Sequence, residues 1–134
     1  MSRNLNDLSM LFRPLADRFL YAAAQHRLDL LVTCTLRTFA EQDALYAQGR
    51  EVPGRIVTNA KSGESAHNFG LAIDIVPMIN GKPEWTGTSP AWELAGQLGE
   101  DLGLEWAGRW TKFIEKPHFQ LPNWPMHKAG SDAA

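Results

Sequence analysis

The stretch "SAHNFGLAIDIVP", residues 65–77, sets a histidine in a turn rich in Ser, Asn and Gly and then places a carboxylate, Asp74, in an otherwise apolar run. Ile73 and Ile75 on either side mark residues 71–76 as a strand. A carboxylate there is costly to bury unless something compensates its charge. A metal ion is one such partner, and the rest of the chain bears on whether it is the right one.

Working outward toward the N-terminus, Leu28, Leu30, Val32, Cys34 and Leu36 alternate with Asp29, Leu31, Thr33, Thr35 and Arg37. That period of two predicts a strand with one buried face and Arg37 at its end on the more polar face. Thr38 and Glu41 have the spacing of a capping box, so a short helix is expected from Phe39 to Gln48, stopping at Gly49. Arg37 is thus held at a strand-to-helix junction, where side chains commonly face a cleft. Further upstream, Pro14 opens a helix over residues 14–26 with Leu15, Phe19, Ala22 and Ala23 turned inward.

Downstream, Asn80-Gly81 marks a turn into a partner strand near Lys82 to Trp85. Ser89-Pro90 starts a helix whose apolar side is Trp92, Leu94, Ala95, Leu98 and Leu102, and Gly103 ends it. "LEWAGRW" (104–110) and "HFQL" (118–121) read as two short strands, and Ile56 to Thr58 as a brief strand in the loop-rich span 50–66. The tail from Pro125 is expected to fray. Strands and helices do not alternate as βαβ units, so the pattern predicts an α+β fold, mainly an antiparallel sheet with helices packed on it. One domain over residues 1–134 is expected, with its core at about 10–121.

Composition sets the outer limits. With 134 residues, 44% hydrophobic and 21% charged, the chain is long enough to bury a core without disulfides. The net charge of -2, with Lys and Arg scattered singly, argues against nucleic acid or an anionic membrane as partner. Cys34 is the only cysteine, which rules out an internal disulfide and a Cys-based zinc site, and it reads as a small core residue. No segment has the apolar stretch of a secretory signal or a bilayer span. Synthesis in the cytoplasm without a signal peptide is the expectation.

Any metal must therefore use His and carboxylates. Zinc catalysis needs three protein ligands, an open position for water and a base that does not itself bind the ion. His67 in the turn, Asp74 in the strand and His118 at the start of "HFQL" are the candidates. A fully extended run from His67 to Asp74 would hold the two too far apart, so the turn must double back, and Gly70 permits that bend. In "EKPHF", residues 115–119, Glu115 precedes His118 by three and Pro117 restricts the backbone between them. Its carboxylate is then placed beside the metal, as a base for bound water. His26, near a helix C-terminus, and His127, in the tail, read as structural and solvated.

"SAHNFGLAID" with "EKPHF" resembles the S-x-H-x-x-G-x-A-x-D and E-x-x-H motifs of the D-alanyl-D-alanine carboxypeptidase family of zinc peptidases. "TLRTFAEQDALYAQGR", "PGRIVTNAKSGESAHNFGLAIDI" and "LGLEWAGRWTKFIEKPHFQL" are similar to its endolysin-type L-alanyl-D-glutamate endopeptidases, over roughly residues 10–121. The resemblance implies a small zinc-peptidase fold of the Hedgehog/DD-peptidase type, with Zn2+ held by His67, Asp74 and His118 and Glu115 as catalytic base. It makes Arg37 the residue that binds substrate and stabilises the oxyanion, and Gln42 and Ser65 shapers of the substrate site. It implies hydrolysis of the L-Ala-D-Glu bond of the peptidoglycan stem peptide by a monomer, ending in cell lysis once a holin-like partner permeabilises the membrane. Two alternatives stand beside it. One is a D-Ala-D-Ala carboxypeptidase or dipeptidase, and the other is a non-catalytic zinc-containing wall-binding module, for which Glu115 and Arg37 would have no use.

Overall fold

The structure is a computed structural model and describes residues 1–130. Three α-helices form where the local signals place them. Helix α1, Arg13–Gln25, has Pro14 in its first turn and buries Ala16, Phe19 and Ala23. Helix α2, Phe39–Ala47, is closed at its start by the capping box, Glu41 N donating to Thr38 Oγ1 at 3.1 Å and Thr38 N to Glu41 Oε1 at 2.8 Å. Helix α3, Pro90–Asp101, is capped by Ser89, whose hydroxyl accepts from Ala91 N at 3.2 Å. Among the described residues no helix is long and apolar enough to cross a membrane.

The strands are β1 (Leu30–Cys34), β2 (Ala72–Ile79), β3 (Lys82–Pro83), β4 (Glu105–Trp106) and β5 (His118–Gln120). They pair antiparallel in the order β1-β2-β5-β4, and β3 folds back on β2 through Asn80 and Gly81, both at positive φ as a tight hairpin turn requires. Opposite residues share a face of the sheet, so the pair Ile73↔Phe119 points one way and the pair Asp74↔His118 the other. Helices α1 and α3 cover the first face: the Phe19 and Phe119 rings lie 4.6 Å apart, and a Cβ on Gly99 would fall 2.6 Å from the Phe119 ring. Ile73 and Ile75 belong to that core, together with Phe12, Leu71 and Leu98. Asp74, odd in an apolar run, is the residue that faces away from it.

Four expectations are corrected. Ile56 to Thr58 joins no strand, because its surroundings offer no ladder partner among the described residues. "LEWAGRW" is a strand only at Glu105–Trp106 and then turns as a 3-10 helix over Ala107–Arg109. Part of the tail is ordered: Trp124–Gly130 is a 3-10 helix, and the Trp124 ring stacks on Phe69 at 5.8 Å, while residues 131–134 of the predicted frayed tail lie outside the described residues. The alternation along β1 also breaks, since the register slips between Val32 and Cys34. This bulge turns both Cys34 and Thr35 inward, so Thr35 is buried where period two would expose it.

Candidate active site

His67 sits in a single 3-10 turn, Ala66–Phe69, opened by Ser65, whose hydroxyl accepts from His67 N at 3.2 Å, and closed by Gly70 at φ 67°. No other residue fits at Gly70, where a Cβ would meet Ser9 N at 2.6 Å. The turn swings the His67 ring back over β2, and His118 reaches the same point from β5. His67 Nε2 lies 3.0 Å from Asp74 Oδ1, His118 Nδ1 lies 3.1 Å from the same oxygen, and the two nitrogens are 3.2 Å apart.

The outer nitrogens define what the inner ones offer. His67 Nδ1 lies 2.8 Å from the Thr35 carbonyl oxygen, and His118 Nε2 lies 2.8 Å from the Gln120 amide oxygen. Those oxygens only accept, so the outer nitrogens carry the protons and the inner ones present lone pairs. Two lone pairs and a carboxylate oxygen crowded together repel unless a cation joins them. Metal bonds of about 2.0–2.2 Å would set tetrahedral donors roughly 3.3–3.5 Å apart, a few tenths wider than seen here. The donor set therefore fits a zinc-type ion held by His67, Asp74 and His118. Without metal the cation is a proton: burial disfavours it on His67, but the Asp74 charge and hydrogen bond hold the imidazole up at about 10. Asp74 is held far below the usual carboxylate range, burial being outweighed by the two imidazoles.

Glu115 stands beside this centre in a cleft of about 570 Å3 whose lining also includes Arg37, Ser65, Trp110 and Phe113. Among the described residues its carboxylate accepts no hydrogen bond. Burial pushes its pKa up, and the neighbouring Asp74 adds to this while His118 pulls against it. An unpaired, desolvated carboxylate is a base in waiting. Its backbone, in contrast, is fixed: Glu115 N donates to Ala107 O at 3.2 Å, Trp106 Nε1 to Lys116 O at 2.8 Å and Ile75 N to Pro117 O at 3.0 Å.

Arg37 lies just beyond β1, its Nη2 3.9 Å from Asp74 Oδ2. Its Nη1 donates to Gln42 Oε1 at 2.9 Å, and Gln42 Nε2 donates to Ala60 O at 2.8 Å. Gln42 is wholly buried, so it meets the cleft only through these two partners. The remaining Arg37 donors have weak sulfur acceptors, Met1 Sδ at 3.0 Å and Cys34 Sγ at 3.7 Å. Cys34 is thus more than a core residue: its thiol sulfur lies within 4.8 Å of ligand atoms of His67 and Asp74.

Sequence reasoning does not single out Gln120, Thr35 or Asn68. Gln120 is within its reach, because i and i+2 on a strand share a face and His118 is already a candidate. Asn68, whose amide donates to Arg37 O at 3.0 Å and accepts from Gly63 N at 3.0 Å, ties the histidine turn to the end of β1. Thr35 acts through its carbonyl, which carries no side-chain signal. Trp110 lines the cleft, whereas Trp106 is buried with Gly96 and Gly108 against its ring.

A paired histidine and carboxylate centre on an antiparallel sheet, with a free glutamate beside it in an open cleft, is an arrangement that suits a metallopeptidase. The family profile described as D-alanyl-D-alanine carboxypeptidase matches residues 58–121. The chain is 39% identical over 128 residues to the peptidoglycan L-alanyl-D-glutamate endopeptidase CwlK of Bacillus subtilis (strain 168), covering 88% of this chain and 76% of that protein. It is 28% identical over 120 residues to the L-alanyl-D-glutamate peptidase of Listeria phage A118, covering 88% of this chain and 39% of the phage protein. The Serratia marcescens L-Ala D-Glu endopeptidase ChiX shares the fold at a TM-score of 0.69 and 23% identity, covering 91% of this chain and 87% of that one. The LdcB LD-carboxypeptidase does so at a TM-score of 0.68 and 17% identity, covering 96% and 68%. The chain belongs to the D-alanyl-D-alanine carboxypeptidase family of metallopeptidases.

Proposed function

We propose that this protein is a zinc-dependent endopeptidase that hydrolyses the L-Ala-D-Glu bond of the peptidoglycan stem peptide. His67, Asp74 and His118 hold the ion, Glu115 is the catalytic base, and Arg37 binds substrate. The observation that carries the reading is the Glu115 carboxylate, unpaired and desolvated beside three convergent donors. The bond assignment draws on the CwlK similarity.

When bound, the ion supplies Lewis acidity, polarising the scissile carbonyl and lowering the pKa of a water to about 7. Glu115 takes the proton from the attacking water and hands it to the departing amine, a role its raised pKa suits. Arg37 donates to the oxygen that gains charge, or to a stem-peptide carboxylate, exchanging its weak bonds to sulfur and its long contact with Asp74 for the new partner. Gln42 and Ser65 hold Arg37 and the His67 turn. Degradation of the wall, and lysis where a holin-like partner opens the membrane, follow from this chemistry.

The second reading, a D-Ala-D-Ala carboxypeptidase, is favoured by the description of the family profile. Digestion of purified peptidoglycan with the zinc-loaded protein, followed by mass spectrometry, separates the two. New D-Glu amino termini are expected; release of free D-alanine alone would replace the endopeptidase reading with the carboxypeptidase.

A further inference from the structure

Residues 56–58 are the span that sequence alone reads as a strand, and the sheet leaves them and Arg55 unpaired. The chain there neither turns nor bends, and no residue in it has positive φ. From Arg55 to Asn59, none of the main-chain N–H groups donates to any group among the described residues. Backbone donors normally find a protein partner or water, and strand edges left open are normally blunted or covered.

This segment is nonetheless held firmly from behind, by α2 and the turn that follows it. Gln48 Nε2 donates to Arg55 O at 3.0 Å, Arg50 Nη1 to Thr58 O at 3.0 Å, and Gln42 Nε2 to Ala60 O at 2.8 Å. Arg50 adds a bond to Asn59 Oδ1 at 2.9 Å and stacks on the Tyr46 ring at 3.8 Å. Gly49 completes the fit, since a Cβ there would lie 2.9 Å from Ile56 N. Val57 to Ala60 line the same cleft as Glu115, His67 and Arg37. The result is a segment free of turns, with β-forming side chains, fixed in place beside the reactive centre, whose amides have no partner among the described residues.

We propose that residues 55–58 bind the stem peptide as an added strand, main chain to main chain. The inference rests on the reading of the substrate as a cell-wall peptide and adds how that peptide is gripped. Strand addition draws affinity from backbone hydrogen bonds, and the unpaired N–H groups of residues 55–58 are the donors this segment brings to it. It also assigns a purpose to "YAQGR", residues 46–50, whose side chains hold the edge without reaching the metal centre.

The test uses the zinc-loaded Glu115→Gln protein, which cannot turn the peptide over, and a synthetic stem tetrapeptide. Amide hydrogen exchange at residues 55–59 should slow at least tenfold on saturation with peptide. In the otherwise native protein, Val57→Pro removes one amide donor and should raise KM at least tenfold with kcat within threefold and zinc content unchanged, whereas Val57→Thr should leave KM within twofold. Peptide that protects other cleft residues while 55–59 exchange as before, or a Val57→Pro variant with native KM, overturns the added strand and leaves the substrate reading intact. Peptide that protects no residue at all overturns both.

Discussion

Asp74 holds two imidazoles at one oxygen, and its substitution should act on both. His67→Ala, Asp74→Ala and His118→Ala are each expected to lose zinc, measured by metal analysis after gel filtration. Glu115→Gln should keep full zinc and lose on the order of a hundred- to ten-thousand-fold in kcat, the usual worth of a positioned base. Gln120→Ala removes only the acceptor behind His118. Its zinc affinity should fall about 10–100-fold, measured by competition with a chromophoric chelator. In the native protein the same competition should show affinity rising with pH, because metal must displace the proton that Asp74 holds on His67 up to about 10. The convergence of His67, Asp74 and His118 is legible in the sequence because their motif is local and spaced. Thr35 is not, since its contribution is a carbonyl aimed by a bulge, and a bulge arises from pairing with β2.

Helix α3 shows how one element carries signals of both kinds. Its start is readable from Ser89-Pro90, but the cap extends further upstream. Glu84, five residues ahead of Ser89, accepts from Trp92 Nε1 at 2.6 Å and from Ser89 N at 3.2 Å. Bonds from Thr86, and then those from Ser89 and Trp92, lower the Glu84 pKa to about 2. A lowered carboxylate stabilises the fold above its unfolded pKa near 4.5 and loses that contribution as pH falls toward 2. Glu84→Gln should therefore flatten the acid limb of a Tm-against-pH curve and leave the neutral region little changed in slope. Gly96 belongs to the same helix, and a Cβ there would lie 2.2 Å from the Trp106 ring. Gly96→Ala should cost about 1–3 kcal/mol by overpacking, read from urea denaturation. It should also lower activity, because the Trp106 indole holds the carbonyl oxygen of Lys116, the residue next to Glu115. Helix ends can be read because caps lie close in sequence to the turns they close. The strand expected at 56–58 cannot be judged that way, since β propensity says a segment suits an edge and only the assembled sheet says whether a neighbour arrives.

At the scale of the whole molecule, the core and the reactive centre occupy opposite faces of one sheet. Phe19 of α1 packs with Ile73 and Phe119 of the sheet without help from a metal. Chelation should therefore lower Tm by the amount that ligand linkage sets and leave a cooperative transition, followed by circular dichroism with and without EDTA. Full unfolding on chelation at room temperature would contradict this division. The fold class is legible from element order alone, whereas the β1-β2-β5-β4 order, which brings residues 74 and 118 side by side, depends on long-range pairing that no local pattern encodes. That pairing has one further consequence. A slip of β5 against β2 by a single position would swap its two faces, sending Phe119 toward the cleft and His118 into the hydrophobic layer. Such a misaligned chain would lack the His118–Asp74 pairing, so an ion held by His67, Asp74 and His118 would bind, and make more durable, only molecules whose strands have met in the right register.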